Sequence, residues 1–148
     1  MKKSTYHIQI AALLFLLVIT AAFAKKQTDP WRPDQLMAPK DLAAIINSSN
    51  DVKPLIINIG PVNSILGAVE TGPANKAENL KALKKLLVDE KKDREIVIYC
   101  GCCPYNHCPN IRPAFSLLNS MKFTNHKLLD LPHNLKVDWI DQGYPLNK

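Results

Sequence analysis

Glycine is scarce in this sequence, and no glycines are spaced as in a phosphate-binding loop. Five glycines occur in 148 residues, and none form the Gly-rich loops of dinucleotide-binding or P-loop proteins. The sequence therefore predicts no organic cofactor. Internal repeats and low-complexity tracts are also absent, and the length favours a single domain.

Aromatic residues are sparse and do not accompany the basic ones. The formal net charge is +6, and several lysines lie on one predicted helix and its exit. Surfaces that bind single-stranded nucleic acid place stacking aromatic side chains among such charges. We interpret the lysines as a solvated helix face and expect no nucleic-acid partner. They are Lys81, Lys84, Lys85, Lys91 and Lys92.

The N-terminal apolar run is short for a membrane-spanning helix, which needs roughly 20 apolar residues. It follows Lys2 and Lys3 and ends at Ala22-Phe23-Ala24, the small-x-small form that signal peptidase reads. We predict that residues 1–24 are a signal peptide. The protein is then expected to contact the membrane only during export. The expected location is periplasmic or secreted.

The predicted mature chain has two parts. Residues 25–38 are predicted to be an extended N-terminal arm, because prolines interrupt them. Residues 39–148 are predicted to form the domain. Such a length supports one hydrophobic core without disulfides.

Short apolar runs alternate with amphipathic segments through the predicted domain. This alternation predicts an α/β fold with a parallel sheet, whose ligands bind beyond the carboxyl ends of the strands. The loop that follows Tyr99 takes that position. Strands are predicted at 55–59, 68–69, 95–99 and 127–129, and helices at 39–47, 78–89, after 112–113, and at 135–142.

Cysteine is confined to one loop. All four cysteines lie within nine residues, whereas a disulfide framework would spread them along the chain to close long loops. The clustering indicates a functional site. They are Cys100, Cys102, Cys103 and Cys108.

Four segments in order resemble the rhodanese-like domain family. The resemblance spans roughly residues 39–146. It implies a small, mostly parallel sheet with helices on both faces. The segments are 54–60 (PLIINIG), 64–69 (SILGAV), 96–100 (IVIYC) with the later Arg112, and 138–145 (DWIDQGYP).

The resemblance implies sulfur transfer. Cys100 matches the family's nucleophile, which carries sulfane sulfur as a persulfide, and Arg112 matches its loop-closing arginine. Gly101, Cys102 and Cys103 would help to bind the anion, since a loop curled around a strand end presents several backbone N–H groups. The expected donor is a small sulfur-containing anion or a persulfide. The expected acceptor is a thiol, such as that of a periplasmic redox protein.

Two features depart from the family pattern. Cys100 and Arg112 stand twelve positions apart, much farther than in the family, so the loop is enlarged. Asn58 and Gly60 occupy positions where the family usually has an aspartate and an arginine. Both departures weaken the expectation of ordinary thiosulfate sulfurtransferase activity.

The enlarged loop leaves several roles open for its additional cysteines. Cys102, Cys103 and Cys108 can act as accessory thiols that accept sulfur or resolve the persulfide. The C-x-x-C formed by Cys100 and Cys103 also suits thiol–disulfide exchange. A soft-ligand set for Cu(I) or Zn(II) is a further alternative, formed by Cys100, Cys103, His107 and Cys108. The remaining alternative has no catalytic role: disulfides among these cysteines would only cross-link the loop.

Overall fold

A computed structural model describes residues 28–49 and 52–147. The predicted signal peptide, residues 1–24, and the start of the predicted arm lie outside the described residues. Within the described part of the chain, no helix has the length and apolarity that crossing a bilayer requires.

The core of the fold is a five-stranded sheet in which every pair of neighbouring strands is parallel. The strand order is β1-β5-β4-β2-β3. The central strand β4 is buried along its whole length, as its run of apolar residues predicts. The strands are β1 (Leu36–Met37), β2 (Leu55–Asn58), β3 (Val69–Glu70), β4 (Ile96–Tyr99) and β5 (His126–Leu129).

Helices cover both faces of the sheet. The helices are α1 (Pro39–Asn47), α2 (Ala77–Leu87), α3 (Ile111–Ser120) and a π-helical segment (Lys136–Ile140). Helices α2 and α3 pack over the face that carries Ile98, and α1 and the π-helical segment pack over the face that carries Val97. Because successive strand residues point to opposite faces, one apolar strand supplies both cores. The predicted α/β class with a parallel sheet is confirmed.

Two elements differ from the sequence-based expectation. Leu36 and Met37 pair with Leu128 and Leu129 as an edge strand, so the sheet begins inside the predicted arm. A two-residue strand has no periodicity by which the sequence could reveal it. The predicted helix at 135–142 is instead a five-residue π-helix, shown by the 2.8 Å bond from the Asp141 amide to the Lys136 carbonyl.

The carboxyl end of β4 is held firmly. The Ile59 amide donates to the Tyr99 carbonyl at 2.9 Å and continues the ladder between β2 and β4. The Tyr99 hydroxyl accepts a hydrogen bond from the Ile65 amide at 2.9 Å. These bonds fix the backbone at the point where Cys100 begins the cysteine loop.

Candidate functional site

Cys100 lies at the end of the central strand and is buried, with 1% of its surface exposed. Because β2 and β4 are neighbours, Gly60 after β2 packs against Cys100 after β4. A Cβ atom on Gly60 would lie 2.4 Å from the Cys100 carbonyl oxygen and 2.6 Å from its Sγ. Glycine at position 60 therefore makes room for the sulfur.

Gly101 turns the loop back over this sulfur. Its φ of +75° is in the left-handed region that favours glycine. A Cβ atom at this position would lie 2.7 Å from the Cβ of Leu135, whose amide donates to the Gly101 carbonyl at 2.9 Å. The turn brings the backbone amide and the thiol of Cys102 to the Cys100 sulfur.

The four cysteine sulfurs form a chain of contacts, here called the thiol cluster: Cys100, Cys102, Cys103 and Cys108. The Cys102 Sγ lies 3.2 Å from that of Cys100, 3.4 Å from that of Cys103 and 4.0 Å from that of Cys108. All four are free thiols. Cys100 and Cys108 are buried, Cys103 is half-buried and Cys102 is exposed. The cluster thus runs from the core to the surface.

Asn110 is a site residue that the sequence analysis missed. Its Nδ2 donates to the Cys100 Sγ at 3.1 Å, and its Oδ1 accepts from the Asn75 amide at 3.0 Å. The second bond fixes the orientation of the amide group. In the sequence, Asn110 is recognisable only as a polar residue directly before the helix that follows the cysteine loop. The same pattern is typical of ordinary helix caps, so it did not indicate a contact with the sulfur.

Hydrogen bonds select Cys100 as the ionised member of the thiol cluster. The Cys108 thiol is the main cause that lowers the pKa of Cys100 to about 6, and the Cys102 amide and Asn110 add to it against the opposing effect of burial. Partial desolvation of the Cys102 sulfur and its hydrogen bonds to Cys100 and Cys103 raise the pKa of Cys102 to about 12. The hydrogen bond to Cys100 also raises the pKa of Cys108. One thiolate, that of Cys100, therefore lies beside the protonated thiols of Cys102 and Cys108 at neutral pH.

The side chain of Arg112, which was predicted to bind the anion, makes its contacts away from the Cys100 sulfur. Its guanidinium pairs with Asp29 at 2.5 Å, donates to the Asn106 carbonyl at 3.0 Å and lies 5.4 Å from the ring centroid of Trp31. Among the described residues, its hydrogen bonds do not include one to Cys100. Arg112 thus ties the arm to the loop, and Asn110 is the side-chain amide that contacts the sulfur.

The predicted metal-ligand set is not the set that the structure brings together. The sulfurs of Cys100, Cys102 and Cys108 lie within 4.8 Å of one another, and this trio can hold a soft cation. Cys102 takes the place predicted for Cys103 because of the turn at Gly101. His107 is exposed, with its Nδ1 2.7 Å from the Asn106 Oδ1.

A groove of about 460 Å³ opens beside the thiol cluster. Cys102 lies on its wall, whereas Cys100 does not. The walls of the groove are part polar and part apolar, with one cation, Lys136, whose Nζ is held by Asp141 at 2.7 Å. Its walls include Pro61, Val62, Cys102, Leu135, Lys136 and Ile140.

The predicted site residues fall into two groups. Cys100, Gly101, Cys102, Cys103 and Cys108 are brought together, and Arg112 and His107 lie apart from the Cys100 sulfur. No protein-family model and no curated protein matches the sequence. The functional interpretation therefore depends on the chemistry of the thiol cluster.

Proposed function

We propose that the protein is a rhodanese-like sulfurtransferase in which Cys100 takes up sulfane sulfur and passes it to a thiol acceptor. The main support is the environment of the Cys100 sulfur, which receives hydrogen bonds from Asn110, the Cys102 amide and the Cys108 thiol. Such donors stabilise a thiolate, which is the nucleophilic form of cysteine. A persulfide formed there is also an anion and benefits from the same donors.

The loading step is a displacement at sulfur. The Cys100 thiolate attacks the outer sulfur of thiosulfate, and a new S–S bond forms. The S–S bond of thiosulfate breaks, and sulfite leaves with its electron pair. The product is the Cys100 persulfide anion, so charge and atoms balance without an added oxidant. Another sulfane-sulfur donor would react in the same way.

Arg112 keeps its proposed role as the donor-binding cation, with a condition set by the structure. The guanidinium fork suits a small oxyanion, but it must first leave Asp29. Cys100 is 1% exposed, so the loop must also move for a donor to enter. Displacement of Asp29 by the donor meets the first condition, and movement of the cysteine loop meets the second. We propose a periplasmic or secreted location, with a thiol protein as the acceptor.

Sulfur loading is tested directly by intact mass. We expect the reduced wild-type protein to gain the mass of one sulfur atom after exposure to thiosulfate, with the added sulfur mapped to Cys100. The gain should disappear on treatment with a thiol reductant, as persulfides require. Protein without any gain, from thiosulfate or from a low-molecular-weight persulfide, would contradict the proposal.

The loading rate should depend on pH, and Asn110 should contribute to the midpoint of that dependence. Because the pKa of Cys100 is about 6, the thiolate and the rate should increase as pH rises through about 6 and level off above it. Asn110→Asp replaces a donor with a carboxylate of the same shape. This change should raise the pKa of Cys100 and slow loading at neutral pH about tenfold, since a hydrogen bond to an ionised group contributes about 1.5–3 kcal/mol. Mass spectrometry of timed samples measures the rate.

Asn106→Asp is the matched control for this prediction. Asn106 is exposed and its side chain contacts His107, so the same charge is added on the loop without loss of the bond to the sulfur. The pH midpoint of this control should move less than that of Asn110→Asp. Equal shifts in the two variants would show that the general charge, and not the Asn110 hydrogen bond, sets the pKa.

Thiol–disulfide exchange is the second candidate function. It is favoured by the 3.2 Å separation between the sulfurs of Cys100 and Cys102. This pair differs from the C-x-x-C pair, Cys100 and Cys103, that the sequence suggested. Exchange would yield a Cys100–Cys102 disulfide after attack by Cys100 on a substrate disulfide.

A further inference from the structure

We propose that Cys102 is a second catalytic thiol, which receives sulfur from Cys100 and presents it to the external acceptor. This inference rests on the proposed function, because it assumes that Cys100 is loaded first. It adds a route by which sulfur leaves a buried cysteine. The acceptor would meet the sulfur at Cys102, in the groove, and not at Cys100.

Burial separates the two cysteines. Cys100 is 1% exposed and is enclosed by Gly60, Asn110 and Cys108. Cys102 is exposed and lies on the wall of the groove of about 460 Å³. A bulky thiol acceptor can therefore reach the Cys102 sulfur while the loop keeps its conformation. Reaching Cys100 directly would require the acceptor to enter through the same loop movement that admits the donor.

The two sulfurs are neighbours, so a sulfur atom added to Cys100 lies beside Cys102. The Sγ atoms of Cys100 and Cys102 are 3.2 Å apart. Displacement at sulfur runs in line with the breaking S–S bond, which is about 2 Å long, so the exposed Cys102 moves outward as the persulfide forms and then faces its outer sulfur. The turn at Gly101, with its φ of +75°, produces this proximity. Cys108 is fully buried and cannot meet an acceptor at the surface. Cys103 contacts Cys102 at 3.4 Å, one sulfur farther along the cluster.

The transfer step balances without a co-reactant. The thiol proton of Cys102 first moves to the outer sulfur of the Cys100 persulfide anion. The Cys102 thiolate formed in this way attacks that sulfur, and an S–S bond forms at Cys102. The bond between the outer sulfur and the Cys100 Sγ breaks, and its electron pair leaves on Cys100 as a thiolate. An acceptor thiol then attacks the Cys102 persulfide in the same manner and restores the Cys102 thiol.

The leaving group supports this direction of transfer. Hydrogen bonds lower the pKa of the Cys100 thiol, and thiols of low pKa leave faster in exchange at sulfur. After transfer, Cys100 is again the thiolate that its neighbours stabilise. The hydrogen bonds that stabilise the Cys100 thiolate before it attacks the donor therefore also stabilise it as the leaving group.

The test separates loading from discharge. Wild type, Cys102→Ser and Cys103→Ser are loaded with thiosulfate, freed of donor and then mixed with free cysteine as the acceptor thiol. Intact mass follows the loss of sulfur, and peptide mapping locates it. In Cys102→Ser we expect Cys100 still to be loaded, at a rate that reports the loss of the Cys102 thiol, and discharge of the loaded protein about a hundredfold slower than in wild type, because an oriented intramolecular step is lost. In wild type we expect sulfur on both Cys100 and Cys102.

The outcomes are distinguishable. Discharge of Cys102→Ser at the wild-type rate would overturn the transfer route and leave the loading proposal intact. A larger loss in Cys103→Ser than in Cys102→Ser would also overturn it, since Cys103 would then be the delivering thiol. Failure of wild type to load would overturn both proposals. Loading of Cys100 in a variant shows that its cysteine loop is folded. Cys102→Ala repeats the test with a side chain that has neither a thiol nor a hydroxyl.

Discussion

Cys100→Ser is expected to take up no sulfur from thiosulfate. A serine hydroxyl at this position is not ionised near neutral pH, and its oxygen does not form a stable analogue of a persulfide. The other thiols do not take over, because the hydrogen bonds from Asn110 and the Cys102 amide that stabilise a thiolate, the nucleophilic form of cysteine, are directed at position 100. The measurement is the intact mass of the variant before and after thiosulfate, under the conditions that load wild type.

Cys108→Ser is the comparison for this loss. Its hydroxyl can still donate to the Cys100 sulfur, so loading should persist at a reduced rate. Serine at both positions is close in shape to cysteine, which keeps the packing of the loop comparable. A stable persulfide on Cys102, Cys103 or Cys108 in the Cys100→Ser protein would assign the nucleophile to that residue instead.

Gly60→Ala is expected to damage both stability and loading. The new Cβ would meet the Cys100 carbonyl oxygen at 2.4 Å and its Sγ at 2.6 Å, and neither group can move without disturbing the end of β4. Overpacking of this kind typically costs about 1–3 kcal/mol. Displacement of the sulfur also lengthens its bond from Asn110, so loading should fall about tenfold or more. Denaturant unfolding and timed mass spectrometry measure the two effects.

Gly143→Ala serves as the control for a general glycine substitution. Gly143 has a φ of +72° and no atom near its missing Cβ, so alanine there costs about 1 kcal/mol of backbone strain without a collision. It lies in the turn after the π-helical segment, away from the Cys100 sulfur. Its loading should resemble wild type. If Gly60→Ala loads as fast as Gly143→Ala, the close approach of Gly60 does not shape the site.

The sequence predicted those strands and helices in which several residues, consecutive or at helical spacing, are buried together. The β-branched runs at 55–59 and 95–99 correspond to the buried strands β2 and β4, and the leucine spacing at 78–89 corresponds to α2. Such runs are visible because burial acts on every residue in them. The position of Cys100 at a strand end followed from the same reasoning.

Other features depend on single backbone angles or on distant partners. The choice of Cys102 over Cys103 beside Cys100 follows from the left-handed φ of Gly101, which local sequence patterns do not specify. Arg112 pairs with Asp29, 83 positions away, so its partner could not be inferred from its neighbours. Asn110 needed the same long-range information, because its role depends on where the strand end lies.

The pairing of β1 has a consequence for the order of folding. Leu36 pairs with Leu128, so the first strand has no partner until the chain has been made as far as β5. The pair β2 and β4 is available earlier and can form without it. Asp29 and Trp31 precede β1 and contact Arg112 and Tyr105. We therefore expect the arm to close over the cysteine loop last, which leaves the thiols open to folding catalysts and oxidants until β5 has joined the sheet.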